Sequence, residues 1–319
     1  MESLAEFCAH GGRVAAAARA FGGDDWIDLS TGIAPWAYPV DSLDPGLTRL
    51  PEPGELAALE AAAAQAFDVV DPTQVVAVPG TDLALRLLAV VLAAERPAVV
   101  RPGYAGHLAA WGEARCVAAF ADPGDADLLV LASPANPDGR VTPPATLRAL
   151  AQRMTVVVDE AYADPAPGLC GEASDRLVVL RSFGKFYGLP GVRLGFVIAG
   201  PRVTGALRHL LGDWPVSTPA IAVGTAAYRD TAWREEQVER IETVGALLDF
   251  ALSRFELVGT APLFRLIGTA DAHALFRHLC NHAILTRPFA DRADRLRIGL
   301  PPDGAALARL TTALAEYVR

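Results

Sequence analysis

Lys185 stands in the run Ser182-Phe183-Gly184-Lys185, with Arg193-Leu194-Gly195 eight residues on and Asp159-Glu160-Ala161-Tyr162 just upstream. Those residue types in that order fit one kind of chemistry. An aldehyde cofactor needs an amine to condense with, and among side chains lysine supplies it. Ser182 and Arg193, on either side of the lysine, offer the hydroxyl and guanidinium donors that a phosphate takes up. A carboxylate beside a pyridine nitrogen keeps that nitrogen protonated, so the ring can accept an electron pair released from a neighbouring carbon. Asp159, which ends the apolar run Thr155-Val156-Val157-Val158, is placed for that task. Each piece alone reads more simply, as a solvated lysine or as a strand-end Asp-Glu pair. Order and spacing favour the joint reading.

Three further segments extend it upstream. Gly80-Thr81-Asp82 follows the strand-like Val75-Val76-Ala77-Val78 and opens an apolar-periodic helix, where free backbone N–H groups and the helix dipole favour a phosphate. Arg101-Pro102-Gly103-Tyr104 brings an aromatic ring, and Ser133-Pro134-Ala135-Asn136-Pro137-Asp138-Gly139 contains a strong turn signal. Together these pieces resemble the fold-type I pyridoxal-phosphate enzymes of the aminotransferase class I/II superfamily. The resemblance implies pyridoxal 5′-phosphate held on Lys185, with its phosphate at Gly80, Thr81, Asp82, Ser182 and Arg193. It further implies stacking on Tyr104, Asn136 and Tyr162 at the 3′ oxygen, and Asp159 at the ring nitrogen. In Arg295-Leu296-Arg297-Ile298-Gly299, Arg297 takes the place of the arginine that forks onto a substrate α-carboxylate.

The N-terminal part narrows the likeness. His10-Gly11-Gly12, then Asp28-Leu29-Ser30-Thr31-Gly32-Ile33-Ala34-Pro35, and later Leu47-Thr48-Arg49-Leu50-Pro51-Glu52-Pro53 and Arg297-Ile298-Gly299-Leu300-Pro301, resemble the threonine-phosphate decarboxylases of cobalamin biosynthesis. That family has asparagine where Ala34 stands. The resemblance covers nearly the whole chain and implies decarboxylation of L-threonine O-3-phosphate to (R)-1-amino-2-propanol O-2-phosphate. His10, Gly11, Gly32, Ile33, Arg287 and Arg297 then become the substrate-binding candidates, Arg287 by its likeness to histidinol-phosphate aminotransferases. An imidazole beside two glycines is a plausible phosphate cradle, and equally an ordinary flexible loop. Histidinol-phosphate aminotransferases carry a tyrosine at the position of Leu50, which leucine cannot replace; Tyr38 is the nearest substitute in kind. A histidinol-phosphate-type aminotransferase is the alternative function. A non-catalytic cofactor-binding regulator is weaker, since no DNA-binding helix pair fits before residue 50.

The elements that must position these groups are legible as a pattern. Seven short apolar runs, near 75–78, 98–101, 115–119, 127–131, 155–159, 177–181 and 193–198, alternate with Ala/Leu-rich helical stretches. Their continuous apolarity suits strands buried on both faces of a mainly parallel sheet wrapped by helices, an α/β architecture. Long helices follow from about 201 to 254, then strand-like pieces near 263–267 and 283–286 and a closing helix from 303. The expected division is an N-terminal arm, 1–48, packing with a smaller α+β domain, 201–319, beside a large cofactor-binding domain, 49–200.

Composition sets limits. The 319 residues are 52% hydrophobic and 20% charged with a net charge of −9, enough apolar content for a large core and no basic face for nucleic acid. Cys8, Cys116, Cys170 and Cys280 form no Cys-x-x-Cys, so neither a metal site nor a disulfide framework is expected. Acidic Glu2 and Glu6 argue against a signal peptide, and apolar stretches such as Leu87 to Ala94 are too short for a bilayer. A cytoplasmic homodimer acting on a small phosphorylated amino acid, without membrane or nucleic-acid partners, is the resulting expectation.

Overall fold

A computed structural model describes residues 4–44 and 46–317; Glu2 lies outside them. The N-terminal part holds α1 (Ala5–Ala9), α2 (Val14–Phe21) and β1 (Ile27–Asp28). Then come α3 (Pro53–Ala66), β2 (Val75–Val78), α4 (Thr81–Leu92), β3 (Pro97–Arg101), α5 (Ala105–Ala110), β4 (Arg115–Ala118), β5 (Leu128–Ala132) and α6 (Pro144–Ala151). They are followed by β6 (Thr155–Asp159), β7 (Leu177–Ser182), α7 (Phe183–Phe186), β8 (Gly195–Ile198), α8 (Pro201–Leu211) and α9 (Thr218–Arg229). The last part holds α10 (Thr231–Ala251), β9 (Glu256–Ala261), β10 (Phe264–Gly268), α11 (Ala272–Asn281), β11 (Ile284–Leu285), β12 (Arg287–Pro288), β13 (Arg295–Gly299) and α12 (Gly304–Glu316).

Two compact units result. The larger takes in Ala37–Asn136 and Arg140–Glu236. Its sheet has seven strands in the order β2-β8-β7-β6-β5-β3-β4, matching the seven apolar runs. All run parallel except β8, which is antiparallel to both β2 and β7. Val130, Val157, Val178, Leu180 and Val197 are buried against Leu85 and Leu88 of α4 and Val203 and Leu207 of α8. Each such side chain contributes about 1.5–3 kcal/mol by leaving water, which explains why these runs show no alternation. Helices α8 and α9 lie in this unit, beyond Gly200 where the sequence pattern changes. Gly224 of α9 presses so closely on Leu59 of α3 that a Cβ there would sit 2.7 Å from Leu59 Cδ1.

The smaller unit runs up to Trp36, includes Pro137–Gly139 and resumes at Gln237. Its antiparallel sheet has the order β12-β13-β10-β9, and β1 pairs separately with β11. Strand β9 has no counterpart in the sequence reading. It is an edge strand whose Glu256 and Leu257 face water, so it lacks the apolar run that marks a buried one. Among the described residues no helix is long and apolar enough to cross a membrane, and no group of His, Cys, Asp and Glu could hold a metal ion.

Candidate active site

Parallel strands deliver their C-terminal residues to one edge of the sheet, where the loops that follow can converge. Here the register sets Ala132 of β5 beside Asp159 of β6, and Asp159 beside Leu180 of β7. The antiparallel β8 pairs Gly195 with Ser182, which brings the Arg193 loop to the same edge. A cavity of about 180 Å³, partly open to solvent, forms there.

All ten cofactor candidates line it. Gly80, Thr81 and Asp82 enter from the start of α4, Tyr104 from the turn into α5, and Asn136 from the turn after β5. Asp159, Tyr162, Ser182, Lys185 and Arg193 complete the wall. Gly80 has φ +90°, a conformation that suits glycine, and a Cβ there would lie 2.7 Å from Arg193 Nη2. Backbone, guanidinium and the N-terminus of a twelve-residue helix thus form an anion cradle. Arg193 itself sits in the left-handed region at φ +54° and donates to Pro190 O at 3.1 Å. Lys185 Nζ lies 5.9 Å from the centre of the Tyr162 ring, and no hydrogen-bond or ion-pair partner is found for it among the described residues.

Asp159 is held on both oxygens. Its Oδ1 accepts from Ala161 N–H at 3.1 Å, and its Oδ2 lies 2.9 Å from His107 Nε2. His107 is fully buried and meets Tyr104 edge-on, with ring centres 5.5 Å apart. Tyr104 donates to Asp82 Oδ1 at 3.0 Å; burial, with Asp82 adding to it, pushes the phenol up to about 12. The sequence reading missed His107. Its place three residues after Tyr104 was a hint, but nothing local marks its partner Asp159.

Glu160, the neighbour of Asp159, turns away into the protein. Arg181, fully buried, donates to Glu160 Oε2 at 3.1 Å and Asp164 Oδ1 at 2.5 Å, and lies 4.8 Å from the centre of the Phe67 ring. Burial raises the Glu160 carboxyl against the opposing pull of Arg181. This cluster ties the loop after β6 to the strand that carries Ser182. A sharper signal was also passed over: Lys185 is the single lysine among the 28 Lys and Arg residues.

The substrate candidates lie in the smaller unit. His10 is exposed, and Gly11, Gly32 and Ile33 belong to the paired segments 10–12 and 28–35. The N–H of Gly12 donates to Ser30 Oγ at 2.7 Å and is not an open donor. Arg287 donates to the carbonyls of Phe7 and Ala9, both at 2.9 Å, and so caps the end of α1. Arg297 is buried rather than on an exposed edge; it donates to Ser30 O at 2.8 Å and stacks 4.9 Å from the centre of the Phe264 ring. Tyr38, the possible substitute for the tyrosine absent at Leu50, is buried in an aromatic cluster with Tyr187 and Trp233 and donates to Asp230 Oδ2 at 3.3 Å.

Comparison with known proteins agrees with this architecture. The profile of the family described as aminotransferase class I and II matches residues 116–314. A threonine-phosphate decarboxylase from Pseudomonas aeruginosa is 38% identical, with 97% of each chain covered. Another from a Sinorhizobium species is also 38% identical, over 96% of this chain and 97% of that protein. Among solved structures, the histidinol-phosphate aminotransferase of Sinorhizobium meliloti in complex with pyridoxal-5′-phosphate superposes with a TM-score of 0.81 at 23% identity, covering 95% of this chain and 93% of that one. With the seven-stranded sheet and the profile match in accord, the chain belongs to the aminotransferase class I and II family.

Proposed function

We propose that the protein decarboxylates L-threonine O-3-phosphate to (R)-1-amino-2-propanol O-2-phosphate with pyridoxal 5′-phosphate as cofactor. The observation that carries this reading is the 38% identity, over nearly the full chain, to proteins named threonine-phosphate decarboxylase. The cavity supports it, because its donors suit the cofactor group by group. The Gly80 cradle with Arg193 and Ser182 suits a dianionic phosphate, Tyr104 a flat ring, and Asn136 with Tyr162 a phenolic oxygen. Pyridoxal phosphate, when bound, supplies an aldehyde for the substrate amine and a ring that takes up the electron pair released at the substrate α-carbon.

The remaining work falls to side chains. Lys185 offers the amine that anchors the aldehyde, and once the substrate amine has taken that place its Nζ holds the proton to be returned to the α-carbon. Asp159 keeps a proton on the ring nitrogen by its negative charge, and His107 fixes that carboxylate's orientation. Arg297 receives the α-carboxylate; His10 and Gly11, with Gly32, Ile33 and Arg287, receive the phosphate end. Anchoring both ends selects which bond at the α-carbon breaks. When that bond is the one to the carboxylate, carbon dioxide leaves and one proton replaces it.

The reading includes a cytoplasmic homodimer whose product enters the corrin side-chain linker. Exposed Leu50 and Trp214, which line one groove of the larger unit, support self-association, since contiguous apolar surface left in water marks contact surfaces. The test is product analysis by mass spectrometry on the cofactor-loaded protein, with and without 2-oxoglutarate. Aminopropanol phosphate formed without the keto acid is the expected result. Turnover that requires 2-oxoglutarate and yields glutamate would assign a phosphate-recognising aminotransferase instead.

A further inference from the structure

Arg297 and the His10–Gly12 turn, the proposed anchors of the two substrate anions, converge on a single residue of the smaller unit. Ser30 is only 2% exposed. Its carbonyl accepts from Arg297 Nη2 at 2.8 Å. Its hydroxyl accepts from Gly12 N–H at 2.7 Å and donates to Asp28 Oδ1 at 2.5 Å, while its own N–H donates to the same carboxylate oxygen at 2.9 Å. Gly11 crosses the Ser30 backbone so tightly that a Cβ on it would lie 2.5 Å from Ser30 O. The segment is also pinned to β13 at the next residues: Gly299 N–H donates to Leu29 O at 2.7 Å, and a Cβ on Gly299 would lie 2.5 Å from Thr31 O. One buried serine therefore joins the arginine on one side to the glycine turn on the other.

We propose that Ser30 is a positioning and specificity-determining residue. It holds the phosphate turn and Arg297 at a fixed spacing matched to α-amino acids phosphorylated on the β-carbon. The inference rests on the substrate reading above and adds to it a rule for length: a carboxylate and a phosphate separated by one further methylene meet only one anchor at a time. Hydroxyl, carbonyl and N–H of Ser30 all have partners, so the spacing is set by a saturated joint rather than by a flexible loop.

The test compares L-threonine O-3-phosphate with O-phospho-L-homoserine, one methylene longer, in wild type, Ser30→Ala and Ser30→Thr. Turnover is read on the holoenzyme. Binding is read calorimetrically on holoprotein reduced with borohydride, which cannot turn over. The wild type should prefer the shorter compound, and Ser30→Ala, which loses the acceptor for Gly12, should lower that preference by up to about tenfold, the upper end for one part-buried hydrogen bond. Cofactor absorbance should not change, and Ser30→Thr, which keeps the hydroxyl, should restore the preference. A preference unchanged in Ser30→Ala, with affinity lowered equally for both compounds, would show a merely structural role and overturn the proposal. A wild type that binds both compounds equally would also overturn it, whatever the product analysis gives. Failure of the decarboxylase reading is separate: it appears as wild-type discrimination in binding without formation of aminopropanol phosphate.

Discussion

The cationic site candidates of the two units are held in opposite ways. In the larger unit Lys185 has no hydrogen-bond or ion-pair partner among the described residues, only the Tyr162 ring 5.9 Å away, and Arg193 is exposed with one bond to Pro190 O. In the smaller unit Arg287 is engaged on two backbone carbonyls, and Arg297 is buried on Ser30 O and the Phe264 ring. The difference separates two tasks. Groups aimed into a cavity are available to a tightly held cofactor and contribute little to the fold. Groups bound to the backbone shape the loops proposed to recognise substrate, so altering them should affect folding and recognition together.

The sharpest way to test that contrast is Lys185→Ala. Loss of the amine should lower decarboxylation by about 10³-fold or more, in the upper range for a proton-transferring group. The apo protein should unfold at the wild-type temperature. Because Lys185 is the single lysine, borohydride reduction followed by peptide mass spectrometry should place the cofactor on one peptide in wild type and on none in the variant. A fall of several degrees in the apo melting temperature would break the comparison, since it would mean that the cavity lysine supports the fold.

Arg181 shows what a buried cation of the larger unit does when it is not aimed into the cavity. Arg181→Met leaves Glu160 and Asp164 buried without their cation, and removing one partner of a buried ion pair costs about 3–5 kcal/mol. Denaturant titration of the apo protein should show that loss, in contrast to Lys185→Ala. An unchanged midpoint would mean that the two carboxyls are satisfied without Arg181.

How far the sequence revealed these regions follows the same divide. The seven strands of the large sheet were legible from their unbroken apolar runs, and Lys185, Asp159, Ser182, Arg193 and the Gly80 turn from residue types that suit cofactor chemistry near strand ends, whereas Tyr104, Asn136 and Tyr162 were legible only through resemblance to a family. Strand β9 was not, because Glu256 and Leu257 lie on a wet edge and a half-exposed strand leaves no such run. His107 was missed for want of its partner: only the fold brings Asp159 to it across 52 positions of sequence. The engagement of Arg287 with Phe7 and Ala9 spans some 280 positions and has no local trace. Arg287 was therefore readable as a phosphate ligand and not as the cap of α1.

That cap gives the next prediction. Arg287→Ala frees two carbonyls at the end of α1 and should destabilise the smaller unit by about 2 kcal/mol, as expected for hydrogen bonds from a charged donor. It should also raise KM for L-threonine O-3-phosphate while leaving cofactor absorbance unchanged. A higher KM with no loss of stability would blur the contrast between the units, by showing that this arginine is as detached from the fold as those of the cavity.

The smallest effect is expected at Tyr104. Tyr104→Phe keeps the ring in the cavity wall, the proposed stacking surface, and removes only the hydroxyl bond to Asp82, a loss of about 1 kcal/mol. Cofactor affinity measured by absorbance titration should therefore fall by less than about tenfold. The direction of the wild-type pKa shift adds a second readout. Burial and then Asp82 hold the phenol un-ionised up to about 12, so the donor is present below that pH and fails only as pH rises through it. Phenolate absorbance from this residue should be absent at pH 10, and the pH profile of cofactor affinity should keep its shape in the variant while shifting in level. A change of shape below pH 10 would mean that Tyr104 titrates in the working range, and that its bond to Asp82 is a switch rather than a fixed support.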